Sequence, residues 1–296
     1  MKNILAEDYM DEFVHRQKQP VDAIPTHLPQ LNKVCRDDGG GYGFAKGWFC
    51  TVGGNPGFGK SAFALNLCSS ALEAGEQIGY ISLEMSSQQL ATRLYSIHTG
   101  TEIRLLERGG FDTTAWGATK MKLRGLPAVW VPDNVLSTWG SVLDFVKQCY
   151  EEGVTWFCLD YLQLVQRGNE EQLNQAIGAI TSELRAWAIN NQSTVVCLSQ
   201  FNRVTSTNYD ETPRPSGLYG GMLLEASSDI VLLLDHSRYI RKLNYATTEI
   251  SIGKNRHGPT LSIPVEWNYK NLTMRELEQP LRSGYVIPHK TTQSKW

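Results

Sequence analysis

The sequence predicts an α/β fold, with a mostly parallel central sheet and a smaller antiparallel hairpin towards its carboxyl end. Three observations support this. Short apolar runs alternate with segments of helical periodicity between residues 48 and 235. A glycine-rich stretch, VGGNPGFGKS at 52–61, joins the first of those runs to the first long helical segment. At 247–254 and 259–267 the pattern changes to alternation by twos around His257-Gly258, the signature of paired antiparallel strands.

Taken in chain order, residues 3–18 place Leu5, Tyr9 and Phe13 at i, i+4 and i+8, with Met10 and Val14 beside them, and predict an amphipathic helix. PVDAIP, from Pro20 to Pro25, breaks it. The expected units are a linker helix and linker at 1–24, a main domain at 25–275 and a tail at 276–296. DDGGGYG at 37–43 predicts a loop before the first strand. Strands are expected at 48–53, 77–83 (QIGYISL), 128–132, 154–160 (VTWFCLD), 194–199 (TVVCLS) and 229–235 (DIVLLLD). Several are apolar without interruption, which suits a parallel sheet covered on both faces. Helices are expected near 60–74, 86–98, 138–151 and 170–191, the last with Leu173, Ile177, Ile180 and Leu184 at helical spacing. Such alternation places ligands at the carboxyl ends of the strands. There are no internal repeats and no low-complexity tract.

Composition narrows the function classes. The chain has 296 residues, 41% of them hydrophobic and 20% charged, as in ordinary soluble globular proteins. A formal net charge of −2 argues against a coat-like nucleic-acid binder, though not against a motor that touches DNA through a few loops. The six cysteines show no C-x-x-C and no metal-ligand spacing, so they read as reduced packing residues of a cytoplasmic protein. The acidic start, MKNILAEDYMDEF, has no signal-peptide core, and no run approaches the 18 apolar residues of a membrane span.

The glycine-rich stretch carries the first chemistry. Gly54, Asn55, Pro56, Gly57, Phe58, Gly59, Lys60 and Ser61 fit G-x-x-x-x-G-K-S/T, between a predicted strand and a predicted helix. Glycines let backbone N–H groups wrap an anion, and the helix adds its positive end. Lys60 is expected to reach the β- and γ-phosphates and the Ser61 hydroxyl to ligate Mg²⁺. The site is therefore one for a nucleoside triphosphate with Mg²⁺.

Acidic and polar residues at other strand ends address hydrolysis. Asp160 closes VTWFCLD and is placed to hold Mg²⁺ through water. Tyr161 follows it, so the base must come from elsewhere, and Glu84 at the end of QIGYISL is the candidate. Gln200 ends the next strand, where an amide can bond the γ-phosphate and report its loss to the chain that follows. That chain, Phe201 to Met222, is long, polar and rich in Gly and Pro, as functional or merely solvated loops are. Arg203 and Arg214 suit phosphate oxygens there, and Phe201 or Tyr219 suits base stacking. Lys254 and Arg256, one residue apart on a predicted strand, share a face about 6.6–6.8 Å apart. They suit a cationic finger on a neighbouring subunit's γ-phosphate, or else protective charge on an edge strand.

Together these motifs resemble the motor domain of DnaB-type replicative hexameric DNA helicases, a RecA-like family. The resemblance runs from about Pro25 to about Trp267. Ser82-Leu83-Glu84-Met85-Ser86 is similar to the segment holding the catalytic glutamate, and Leu159-Asp160-Tyr161-Leu162-Gln163-Leu164 to the Walker B segment. Ser199-Gln200-Phe201-Asn202-Arg203 is similar to the sensor motif, and Lys254-Asn255-Arg256-His257-Gly258-Pro259 to the segment acting across the subunit interface. The resemblance implies a RecA-like P-loop fold, ATP with Mg²⁺ between subunits, and a homo-oligomer, usually a hexameric ring. It further implies 5′→3′ movement on single-stranded DNA, with a primase or helicase loader as a possible partner. The linker helix would dock on a neighbouring subunit through Leu5, Tyr9 and Phe13.

The sequence departs from that family in two places. The N-terminal domain of bacterial members is expected to be missing, as in phage or plasmid versions or in a subunit that needs a separate partner; the expected compartment is the cytoplasm, of a bacterial host if phage-encoded. In the DNA-contacting loop, Leu218-Tyr219-Gly220-Gly221-Met222 lacks the family's charged pair, and Gly220 and Gly221 are candidates to supply backbone N–H donors instead. Two other readings remain open: a RecA-like recombination ATPase, and a non-enzymatic adaptor of a host replication ring.

Overall fold

The computed structural model describes residues 22–35, 43–109, 123–134, 138–162, 170–202, 212–241 and 244–278, with a few isolated positions between them. The predicted linker helix at 3–18, the loop at 37–42 and nearly all of the tail lie outside the described residues.

The chain opens with β1 (Ala23–Ile24), α1 (Pro29–Cys35) and β2 (Phe44–Ala45), a small antiparallel pair and a helix beside the main sheet. The parallel part follows, with β3 (Phe49–Gly54), α2 (Lys60–Glu73), β4 (Ile78–Ser82), α3 (Ser87–Thr99), α4 (Ile103–Glu107) and β5 (Val129–Trp130). Next come α5 (Trp139–Glu151), β6 (Trp156–Asp160), α6 (Glu170–Asn191), β7 (Thr194–Gln200) and α7 (Gly221–Ser227). The chain then runs into β8 (Ile230–Arg241), β9 (Tyr245–Asn255), β10 (Ser262–Asn268) and β11 (Thr273–Glu276).

The main sheet has nine strands in the order β11-β10-β9-β8-β3-β7-β6-β4-β5. From β8 to β5 all neighbours are parallel, and from β8 to β11 all are antiparallel. Side-chain alternation explains why the parallel strands are apolar throughout. Cys50, Val52, Cys158, Val196, Leu198, Ile230 and Leu232 enter one core, under α2. Phe49, Phe157, Leu159, Val195, Cys197, Val231 and Leu233 enter the other, under α5 and α6. Both faces are dry, so neither can be polar. β9 has one wetter face: Ala246, Thr248 and Ile250 are buried, while Thr247 and Glu249 are half-buried.

Helix α2 is buried almost all round, from Ala62 to Leu72. It packs on the sheet and reaches the β10–β11 turn, where Asn66 donates to Leu272 O at 2.8 Å and accepts from Met274 N–H at 3.3 Å. Helix α3 begins at a reciprocal cap, Ser86 and Gln89 each bonding the other's backbone N–H. All six cysteines are free and buried, matching their expected packing role.

The predicted elements recur with modest shifts. β5 shrinks to Val129–Trp130, whereas β8 runs on to Arg241 to pair with a long β9. Helices α1, α4 and α7 and strands β1, β2 and β11 were not expected. Each is short, and α1 and α7 are fixed by distant residues: Glu276 Oε1 accepts from the N–H of Gln30 at 2.7 Å, at the start of α1.

Candidate functional site

The glycine-rich loop leaves β3 at its carboxyl end, where Gly54 pairs with Gln200 of β7. The chain turns through Gly57 at φ +77° and Gly59 at φ +87°, left-handed conformations that glycine adopts without strain. A Cβ on Gly59 would also stand 2.7 Å from the Trp267 ring, so β10 braces the loop from beneath. Nothing lies within 4 Å of the place a Cβ would take on Gly57, which leaves that side open to a ligand. Phe58 N–H donates to Asn55 O at 3.3 Å, closing the turn. Lys60 Nζ donates to the same carbonyl at 3.1 Å.

Strand register brings the other predicted residues to this edge. Ser82 of β4 pairs with Asp160 of β6, and Leu83 N–H donates to Asp160 O at 2.8 Å, so Glu84 emerges beside Asp160. Gly57, Lys60, Ser61, Glu84, Asp160 and Gln200 line one cleft of about 300 Å³, within the range of ligand pockets. Arg93 of α3 and Tyr161 line it too. Neither was assigned a role at the site from the sequence. Arg93 sits in an ordinary-looking helical segment, SQQLATRLYS, that carries no local signal of a site.

The electrostatics set a buried ammonium beside a buried carboxylate. Burial pushes the Lys60 ammonium down to about 8, while Asp160 and Glu84 pull the other way. Burial pushes the Asp160 carboxyl up, against the Ser61 hydroxyl and the Tyr80 phenol, which favour its charged form. Asp160 Oδ2 accepts from Tyr80 at 3.0 Å, whereas its buried Oδ1 accepts no hydrogen bond among the described residues. Those residues hold no cluster of three His, Cys, Asp or Glu side chains able to bind a metal alone. Ser61 and one carboxylate do fit Mg²⁺, which commonly completes its shell with water and phosphate oxygens.

Lys254 and Arg256 lie elsewhere. Lys254 pairs with Val231, which is level with Thr51, and Arg256 N–H donates to Asp229 O beside Phe49. They therefore sit three and five residues behind Gly54, about 10 and 17 Å along the strand direction. Both face the carboxyl end of α7. Lys254 donates to Glu225 O and, at 3.4 Å, to Ala226 O; Arg256 donates to Ala226 O and, at 3.1 Å, to Ser228 O. Cations are favoured at a helix carboxyl end. Buried Asp229 lies 4.0 Å from Arg256 Nε, pairs with Arg185, and accepts from Phe49 N–H at 2.9 Å. The sequence reading supplied an anion for the two cations but missed this nest of carbonyls, because residues 225–228 are distant in the chain.

The loop after β7 is corrected in two respects. Phe201 is 2% exposed, held by a bridge to Leu218, and offers no face to a base. Gly221 N–H already donates to Leu218 O at 2.9 Å, so the donor expected of it is used within the turn. Packing accounts for the two glycines. A Cβ on Gly220 would stand 2.5 Å from Ile177, and one on Gly221 would stand 2.6 Å from Pro215 O. Arg214 is exposed and Tyr219 half-buried, while Arg203 lies outside the described residues.

The family model for the DnaB-like helicase C-terminal domain matches residues 23–276. The chain belongs to this family. A relative described as a probable plasmid replicative DNA helicase, from Chlamydia psittaci, is 30% identical over 255 residues, which are 84% of this chain and 54% of the relative. The replicative DNA helicase DnaB of Geobacillus stearothermophilus is 29% identical over 300 residues, 97% of this chain and 64% of that one. The chain thus spans about half to two-thirds of the length of these relatives. Among solved structures, the ATPase domain of G40P superposes with a TM-score of 0.75 at 20% identity, covering 94% of this chain and all of that one. A DnaB-like replicative helicase, described with its primase interactions, gives 0.74 at 20% identity over 94% of this chain and 67% of that one. At such identity these two establish the RecA-like ATPase fold, while the family model establishes the DnaB-like membership.

Proposed function

We propose that this chain is the motor of an ATP-driven replicative DNA helicase, with nucleotide bound between neighbouring copies in a ring, usually of six. One observation carries the reading. The phosphate loop, Glu84, Asp160 and Gln200 share one cleft, whereas Lys254 and Arg256 stand well behind it on the same sheet. A site that needs both sets is completed by a second copy.

In this scheme the Gly54–Ser61 backbone and Lys60 bind the β- and γ-phosphates of ATP, and Ser61 and Asp160 hold Mg²⁺. Once bound, the metal withdraws charge from the phosphate oxygens. Glu84 orients the attacking water and takes its proton. Lys254 and Arg256 of the adjacent copy neutralise charge on the transferring phosphoryl group. Gln200 contacts the γ-phosphate through its side-chain amide, and its backbone carbonyl accepts from Tyr219 N–H at 3.0 Å, which ties phosphate loss to the next loop. Arg203, Arg214, Tyr219 and Gly220 form the expected DNA contact, with 5′→3′ polarity and a primase or loader partner following from the family. Among the described residues no helix is long and apolar enough to cross a membrane; a cytoplasmic setting is part of the proposal.

The test is complementation in mixed assemblies. Arg256→Ala chains mixed with Lys60→Ala chains should form some intact composite sites and regain DNA-stimulated ATP turnover and unwinding of a forked duplex. Turnover no higher than dilution predicts, with each single variant still binding nucleotide or partner normally, would remove the shared-site reading. Filament formation on DNA without unwinding would favour a recombination ATPase instead.

A further inference from the structure

Tyr80 is the middle residue of β4, and neither the motifs nor the family resemblance calls for it. Its side chain is 1% exposed, among the core residues beneath α2. It pairs in register with Cys158 on β6, two residues before Asp160. That offset, about 6.6–6.8 Å along the strand, matches the reach of a tyrosine. Its hydroxyl donates to Asp160 Oδ2 at 3.0 Å.

A buried phenol must find a partner, and a phenylalanine would fill the same apolar space with no such need. The chain has instead placed its hydroxyl on the carboxylate at the floor of the cleft. With Oδ2 engaged, Oδ1 is the oxygen left without a hydrogen bond among the described residues. A free aspartate side chain can rotate and exchange its two oxygens, and the phenol holds one of them in place. Partners of metal-binding groups commonly fix ligand orientation in this way, and losing one costs about 10–100-fold in metal affinity or activity.

We propose that Tyr80 is a positioning residue that fixes the orientation of the Asp160 carboxylate and leaves Oδ1 as the acceptor for the Mg²⁺ shell. This rests on the reading above that Asp160 holds Mg²⁺. Tyr80 itself touches neither nucleotide nor metal; it acts through Asp160.

The experiment uses the full chain and a slowly hydrolysed fluorescent ATP analogue, mant-AMPPNP, titrated with MgCl₂ and, separately, bound in EDTA. Tyr80→Phe should raise the Mg²⁺ concentration at half-saturation about tenfold, and leave affinity in EDTA within about twofold of the parent. An unchanged Mg²⁺ midpoint in Tyr80→Phe, alongside a shifted one in Asp160→Asn, overturns the positioning role and spares the metal assignment. An unchanged midpoint in Asp160→Asn removes the metal assignment itself, and the Tyr80 role with it. Loss of nucleotide binding by Tyr80→Phe in EDTA would mark a structural role only and also overturn the proposal.

Discussion

At the carboxyl edge of β3, a buried lysine and a buried carboxylate face an open cleft, whereas towards the amino ends of β3 and β8, Lys254 and Arg256 are already engaged by backbone oxygens. The first region is braced by packing. Its turns are glycine conformations, and the Trp267 ring packs under Gly59. Charges left in so dry a place need a ligand to satisfy them. In the second region both cations are engaged by backbone oxygens. Its cations lie on the neutral carbonyls of 225–228, partners that a phosphate oxygen can replace with a stronger, charge-assisted bond. In the proposed scheme one half of the chemistry binds the nucleotide, and the other exchanges its carbonyl partners for the nucleotide of a neighbouring copy.

Breaking the second region should have the largest effect on turnover. Arg256→Ala is expected to lower DNA-stimulated ATP hydrolysis about 10³-fold or more, while nucleotide affinity of the dispersed chain stays unchanged. A loss of affinity in the dispersed chain would place Arg256 in its own cleft and erase the contrast between the regions. Glu84→Gln breaks the first region with a smaller loss, about 10²–10⁴-fold in turnover, and binding should survive. Single-turnover measurements separate the two, because only the first loss should depend on assembly.

Stability sharpens the comparison further. Gly59→Ala forces a Cβ to 2.7 Å from Trp267 at φ +87° and should cost about 1–3 kcal/mol in denaturant unfolding. An unaffected Gly59→Ala chain would mean the loop is not braced as described. The smallest effect concerns pH. The Lys60 ammonium is held down to about 8 by burial, and a bound triphosphate should restore its proton. Binding therefore takes up a proton above that pH, and the dissociation constant for an ATP analogue should rise by about tenfold per pH unit there. Proton uptake measured by calorimetry in two buffers checks the sign. The same depressed group makes the unliganded fold gain stability as pH rises from about 8 towards the ordinary lysine range, since the unfolded chain then binds more protons.

The sequence made the first region legible because its signals are local. Gly54 to Ser61 is one continuous stretch, and Glu84, Asp160 and Gln200 each end an apolar run, so parallel pairing alone brings them to one edge. Tyr80 was hidden because its partner is 80 residues away. Arg93 was hidden because a helix exposes a residue to a cleft without changing its own periodicity. Gly220 and Gly221 were read as donors to DNA, and only the approach of Ile177 and of the Pro215 carbonyl gave them another reason to be glycine.

By itself the sequence determined the α/β alternation, the phosphate cradle and the strand-end side chains, since periodicity, turn chemistry and capping act within a few residues. The tertiary structure alone decided how far Lys254 and Arg256 stand from that cradle, what they rest on, and which oxygen of Asp160 is free. Those depend on strand order and register across the sheet, where segments far apart in the chain become neighbours only because their apolar faces must be buried together.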